Sequence, residues 1–500
     1  MKKIIEKIKK KEDVFIFLLI AFSLIGITLN VKLDASDELW NFQNIYKMYN
    51  GFVIYKDANV ICTPLFFYIG NLLFRVLGAN FFVFRIYSIV IYSVYIFVNY
   101  KILAKLKINK KISYILVILL MIWGNYTIPR VMANYNYLAI DIVLIGILLI
   151  LNKKDYFSNK NIIIQSILAF CILMTKQNIG VLYILCLTIL IFYREKHKTT
   201  KILKIYGLIS AYTVVFIISL LLKGNINEFF NFAILGIKQF GQKNIYLYNM
   251  NFIVAIAILM IDIITGYVFI KKVKIQEDRK INLIVLEIMS LGMFFTIFPI
   301  VNMSHTIMGI DVEIILLIYI ISLILENINI DINAKIDNIK CLNSIVIILS
   351  IAVITMSTLT LNEWAKETIK RKDYYNYCEP FFGSVVLNEQ KNNINNITEY
   401  INNKSSEGVR VIIFSAKAAL YMIPLKESNG YYDLPFYGNY GNLTEMEIIE
   451  EFKNKENVEI LLQKDEENME WQESKQINRN LKKELKKVGE IEEFEIYVNN

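Results

Sequence analysis

Apolar runs close to bilayer length recur along the first 361 of the 500 residues, near 14–31, 81–104, 112–129, 137–151, 161–175, 179–193, 202–222, 252–270, 282–301, 307–325 and 343–361. A helix needs about 20 mostly apolar residues to cross ~30 Å of hydrocarbon. The pattern therefore predicts a polytopic α-helical membrane protein of about eleven transmembrane helices, with its termini on opposite sides of the membrane. Composition points the same way. Hydrophobic residues make up 55% and charged residues 20%, against about 25% charged in soluble domains.

Charge decides the orientation. With the N-terminus in the cytoplasm, the inner segments are 1–13, 101–111, 152–161, 193–204, 271–280 and 326–341, and they carry 26 of the 36 Lys and Arg residues before Asn362. Basic residues concentrate in cytoplasmic loops, so this is the predicted topology, in a multi-pass plasma membrane protein. MKKIIEKIKKKED before the first apolar run has the charge of a signal peptide, but no small-residue cleavage site follows, and it is taken as an uncleaved first span. A shorter outer segment then covers about 223–251, and two outer segments are large: 32–80 and 362–500. The last holds 25 acidic and 18 basic residues, so the overall charge of +9 is a basic membrane body joined to an acidic outer part. A nucleic-acid binder is excluded.

The expected domains are 1–361, transmembrane, and 362–500, a small C-terminal extracytoplasmic α/β domain. In the latter, VRVIIF (409–414), VEILL (458–462) and EFEIYV (493–498) read as strands. TEMEIIEEFKNK (444–455) opens with a capping-box pattern, and 471–488 has helical spacing with a basic C-terminal end. The tyrosines at 431, 432, 437 and 440 are read as the core of a folded loop, with stacking on sugar rings as the other use.

Much catalytic chemistry is excluded by absence. The chain has two His, His197 and His305, and no phosphate-binding glycine loop or paired-cysteine zinc motif. No metal ligands are assigned, no cofactor is certain, and a divalent-cation requirement is left open. Of the five cysteines, Cys62 and Cys378 share the outer side and are read as isolated thiols.

The informative segment is the first outer loop, LDASDELWNFQNIYKMYNGFVIYKDANVICTPLFFYIGNLLFRVLG. Asp34, Asp37 and Glu38 follow the first span directly. A helix-like stretch comes next, then a turn at Asn50-Gly51, then Tyr55-Lys56-Asp57. Pro64 opens a 15-residue amphipathic segment ending at Gly78, short for a span and suited to lying in the interface. Carboxylates held at the membrane surface beside such a helix are placed to meet a lipid-linked substrate; ordinary helix-capping carboxylates are the other reading.

The order of DE-x-x-W, N-G-x-x-x-Y-x-D, P-L-F-F-Y and F-R-V-L-G, followed by FFVFRIYS, resembles the opening of GT-C glycosyltransferases, and most closely the protein O-mannosyltransferase / aminoarabinose transferase superfamily. LMTKQNIGVLYI (173–184) and FPIVNMSHTIMGI (298–310) extend the likeness. It implies a membrane glycosyltransferase using a polyprenyl-phosphate-linked sugar at the outer face of the bilayer, with an acceptor that is a glycan, lipid or protein. Asp37 matches the family's catalytic acidic position and Glu38 its neighbour. A carboxylate there can take the proton of an acceptor hydroxyl, and direct attack inverts the anomeric centre. The leaving lipid phosphate needs cationic support. Lys56, Asp57, Arg85, Arg130, Lys176 and His305 are the candidate substrate contacts. One departure is clear: relatives carry a His-Lys-Pro-Pro-type sequence where this chain has Ile61-Cys62-Thr63-Pro64, which makes Lys176 the first alternative phosphate ligand. A transporter or lipid flippase is the competing class. It would instead make acids within the spans essential, such as Asp262 and Glu287.

Overall fold

The computed structural model describes residues 2–29, 33, 37–126, 133–151, 156–236, 250–273, 275–298, 301, 303–327, 340–370, 379–384, 386, 388–436, 439–469 and 473–499. The chain divides into two compact units. One comprises 1–28, 88–216 and 245–364; the other comprises 29–87, 217–244 and 365–500.

Every described element of secondary structure in the first unit is a helix. Each of the eleven apolar runs overlaps a helix where it is described. The helices are α1 (Lys2–Leu29), α4 (Phe81–Lys105), α5 (Lys110–Tyr126), α6 (Tyr135–Ile150), α7 (Asn159–Leu173), α8 (Gln177–Arg194), α9 (Lys198–Lys223), α11 (Met250–Lys272), α12 (Glu277–Phe294), the pair α13 (Met303–Gly309) and α14 (Asp311–Asn327), and α15 (Lys340–Lys370). Of these, α4 begins and α9 ends in the second unit. Among the described residues, five helices are long and apolar enough to cross a membrane: Phe81–Lys105, Gln177–Arg194, Lys198–Lys223, Phe252–Lys271 and Glu277–Ile297. The count of eleven full spans is thus not reached on length and composition. At 1.5 Å per residue, the 16 residues of α6 and 15 of α7 extend only about 24 and 22 Å. At 307–325 the two helices meet at Ile310, across which the i to i−4 bonds continue: the Ile310 N–H donates to the Thr306 carbonyl (3.0 Å) and the Ile314 N–H to the Ile310 carbonyl (2.9 Å).

Small residues let these helices approach closely, as packing between apolar helices requires. A Cβ on Gly26 would stand 2.8 Å from backbone atoms of Ser357 and Leu361 on α15, and the Ser357 hydroxyl lies 3.1 Å from the Ser23 carbonyl oxygen it donates to. Polar contacts join other helices: Tyr95 donates to Asp311 (2.5 Å), and Gln165 to the Gly146 carbonyl (3.2 Å).

The second unit gathers three stretches distant in sequence. They are the segment after α1, the segment after α9, and the C-terminal region. The last contains a four-stranded sheet of order β1-β2-β4-β3. Strands β1 (Arg410–Phe414) and β2 (Val458–Gln463) run parallel, with Ile412 opposite Ile460. Strand β4 (Phe494–Val498) is antiparallel to β2 and forms a hairpin with β3 (Lys486–Ile491).

Alternation sorts the side chains. Ile412, Phe414, Ile460 and Leu462 share a core with Ile448 and Phe452 of α18 (Glu445–Lys453) and with Ile477 and Leu481 of α19 (Lys475–Glu484). The β1 strand also packs against α16 (Asn388–Ser406), which in turn contacts α17 (Ala418–Leu425). Helix α18 begins with the full capping box, Thr444 and Glu447 satisfying each other's backbone N–H groups, a feature worth about 1 kcal/mol. The helix expected to run to 488 stops at Glu484, and 486–491 is strand. A two-residue turn at Glu492-Glu493, with Glu492 at φ 48, pairs that basic stretch with β4.

Candidate active site

Helix α2 (Asp37–Tyr49) carries the acidic pair. Asp37 and Glu38 lie in its first turn and Lys47 in its last, the charge order that suits the helix dipole. It ends where Gly51 takes φ 95, a backbone that glycine adopts without cost. Every residue from Glu38 to Met48 is buried, whereas Asp37 is exposed.

The reason for this burial is packing against α3 (Leu65–Leu77), the amphipathic helix that Pro64 opens and Gly78 closes. Gly70 leaves room for Ile45, whose Cδ1 would lie 2.3 Å from a Cβ at that position. Trp40 meets Phe67 edge-on at 6.1 Å, and Phe42 sits among Phe74, Phe81 and Phe84. Leu72, Val76 and Leu77 on the other face of α3 are exposed.

Two buried ion pairs hold α2. Glu38 and Arg85 were both expected to face substrate; instead they face each other. The Arg85 Nε donates to Glu38 Oε1 (3.1 Å) and its Nη2 to Oε2 (3.3 Å), a two-point match of fork to carboxylate. Its Nη1 donates to the carbonyls of Leu29 (3.3 Å) and Gly383 (3.0 Å). The two side chains are 0% and 1% exposed. At the other end, Lys47 pairs with Asp433 of the C-terminal region, 386 residues away, both almost fully buried. Burial pulls the Lys47 pKa down to about 7, the Arg410 charge adds to this, and Asp57 opposes it. Gln43, one turn before Lys47, donates to the same carboxylate (3.0 Å).

The Tyr55-Lys56-Asp57 stretch forms a tight turn. The Val53 N–H donates to Asp57 Oδ2 (2.7 Å), so this carboxylate caps the turn. Tyr55, at φ 72, is buried with its hydroxyl on the Cys62 carbonyl (2.8 Å) and its ring edge-on to Phe229 (5.1 Å). Lys56 is exposed. Tyr432 and Tyr440 are core residues of the C-terminal sheet region, which removes them as sugar-stacking surfaces.

Lys176 and His305 belong to the first unit. Lys176 is the residue before α8, with its ammonium 6.0 Å from the Tyr135 ring centre, and it lies within electrostatic reach of His305. Arg130 and Cys378 lie outside the described residues. Among the described residues, no group of three or more His, Cys, Asp or Glu side chains has an arrangement that could hold a metal ion. So the structure unites Asp37, Glu38, Lys56, Asp57 and Arg85 in one unit, and Lys176 with His305 in the other. Sequence reasoning missed Gln43, Lys47, Asn429 and Asp433. The one available signal was the i, i+4 polar pair Gln43/Lys47, which shares its helix with Asn41 and Asn44.

No protein-family model matches the chain, and no curated protein matches it. Among solved structures it is similar to the oligosaccharyltransferase of Archaeoglobus fulgidus in the apo form, with a TM-score of 0.51 and 9% identity over 91% of this chain and 70% of that one. The two proteins share a fold. A second crystal structure of the oligosaccharyltransferase, in complex with Zn and sulfate, gives a TM-score of 0.49 and 11% identity, covering 89% of this chain and 67% of that one. At 9% identity the likeness is one of fold, and it does not test the O-mannosyltransferase / aminoarabinose transferase resemblance.

Proposed function

We propose that the protein is a membrane glycosyltransferase of the GT-C type. It transfers a sugar from a polyprenyl-phosphate donor to an acceptor at the outer face of the plasma membrane, with inversion. The observation that carries this reading is the state of Asp37: it is the exposed first residue of a helix whose next eleven residues are all buried. A general base needs a carboxylate that is open to substrate yet fixed in place, and α2 provides both. The fold shared with an oligosaccharyltransferase supports the reaction class and does not favour a transporter or flippase. The packing of segments 29–87, 217–244 and 365–500 into one unit supports placing all three on one side of the membrane.

In this reading, Asp37 takes the proton of the acceptor hydroxyl while that oxygen bonds to the anomeric carbon from the face opposite the leaving group. The bond from that carbon to the phosphate oxygen breaks, and polyprenyl phosphate leaves as an anion. Glu38 and Arg85 hold the helix. Charge support for the phosphate falls to Lys56, the exposed cationic candidate in the same unit as Asp37.

The test is a membrane assay with a panel of radiolabelled polyprenyl-phosphate sugars. Wild type is expected to transfer label from one of them, and Asp37→Asn, inserted at the same level, to have lost transfer. Full transfer by that variant would sink the assignment.

A further inference from the structure

We propose that Asp433, in the C-terminal region, is a positioning residue for Asp37, acting through Lys47 and Gln43 on the far end of α2. This inference rests on the transferase reading above.

The connection is continuous and buried. Asn429 is tied to strand β1: its Oδ1 accepts from the Ile413 N–H (2.9 Å) and its Nδ2 donates to the Ile413 carbonyl (2.7 Å) and to the Tyr432 carbonyl (2.8 Å). The Asn429 N–H in turn donates to Asp433 Oδ1 (3.2 Å). That same oxygen accepts from Gln43 (3.0 Å), and Oδ2 contacts the Lys47 ammonium. Gln43 and Lys47 are one turn apart, on one face of α2. Each of these four side chains is at most a few per cent exposed. A further tie runs alongside: Ser428 donates to the Asp57 carbonyl (3.0 Å), which also faces Lys47 Nζ at 3.4 Å.

Directional bonds of this kind distinguish one register from its neighbours, which apolar packing of α2 on α3 does weakly. A buried ion pair contributes little net stability, and registry is its best-attested use. Helix α2 is 13 residues long, about 20 Å. With Glu38 pinned by Arg85 at one end and Lys47 by Asp433 at the other, neither rotation about its axis nor sliding along it is free. The exposed Asp37 carboxylate inherits that placement. Displacing a reacting group by about 1 Å can cost about 100-fold in rate. The C-terminal region thereby acts on the chemistry through the helix it grips, without supplying an atom to it.

The experiment uses full-length protein in membranes and three variants: Asp433→Asn, Lys47→Met, and the exchange Lys47→Asp with Asp433→Lys. Two readouts are taken: kcat and KM for the donor that wild type uses in the radiolabelled panel, and amide hydrogen exchange over residues 38–49. Each single variant is expected to lower kcat by about 10- to 100-fold with donor KM little changed, and to speed exchange in α2. The exchange variant is expected to regain part of both. Wild-type kcat in the single variants, or a loss that only follows the amount of folded protein, would overturn the proposal. If wild type transfers from no donor, the transferase reading fails on its own account. Hydrogen exchange then still decides the grip, since unchanged protection of α2 in Asp433→Asn refutes it.

Discussion

Ion pairs in the second unit range from fully buried to well exposed. Glu38–Arg85 and Lys47–Asp433 are 0–3% exposed and join stretches of chain far apart in sequence. Around the C-terminal sheet, Arg479–Glu466 and Lys487–Glu490 have side chains 25–63% exposed and join neighbours. The chemistry is the same, but water differs. Charges in water are already solvated, so pairing them gains little. Charges out of water have no such alternative, and removing one strands the other. The buried pairs therefore make the unit intolerant of change at α2, while the exposed ones leave the sheet surface free to vary.

The sharpest way to break this contrast is Arg85→Ala. It leaves the Glu38 carboxylate buried without its cation and frees two carbonyls. Loss of one partner of a buried pair costs about 3–5 kcal/mol. Thermal unfolding in detergent should show a large fall in midpoint, or no folded protein. A midpoint within a degree or two of wild type would mean that the pair is not buried as described.

A smaller effect is expected where the same pair leans on backbone. Gly383 has φ +87, and a Cβ there would stand 2.6–2.9 Å from the Cβ, Cα and N of Phe82. Backbone cannot swing aside as a side-chain tip can. The Phe82 N–H is moreover fixed on the Phe382 carbonyl (2.8 Å). Gly383→Ala should cost about 1–3 kcal/mol by overpacking and displace the carbonyl that accepts from Arg85. Unfolding of this variant beside Gly408→Ala checks it. Gly408 also has positive φ but nothing within 4 Å, so the control separates steric displacement from backbone strain.

Local patterns made much of this legible in the sequence. The apolar runs mark the helices, Pro64 and Gly78 bracket α3, and Thr444 with Glu447 marks the start of α18. Each of these is decided by residues within a few positions of one another. What was not legible depends on distant partners. Nothing near Glu38 says that it faces Arg85, and nothing near Asp433 distinguishes it from the other carboxylates of an acidic region that looks solvated. Strand β3 was hidden for the same reason. KKVGEI carries the charges of a helix end, and only its pairing with β4 makes it a strand. At the candidate site, Asp37 could be singled out because it stands in a recognisable order of residues, but its exposure on a buried helix could not.

The weakest effect should come from the exposed pair, and its pH dependence sharpens the comparison further. Arg479 meets Glu466 through Nε at 2.8 and 3.0 Å and through Nη2 at 2.6 Å, a geometry as good as that of Arg85 on Glu38. Hydrogen bonding to Arg479 lowers the Glu466 pKa below its ordinary value. A carboxyl lowered on folding adds stability above its unfolded pKa, and that stability is lost as pH falls through the folded value. Arg479→Ala should therefore differ from wild type only slightly near neutral pH and low salt. The difference should vanish on acidification below the carboxylate range, and should shrink on raising salt, as the screening length falls from about 10 Å at 0.1 M to about 3 Å at 1 M. Arg85→Ala should stay far below wild type when salt is raised, because a buried pair is screened much less. If salt rescued both variants alike, good geometry rather than burial would set the worth of a pair in this unit.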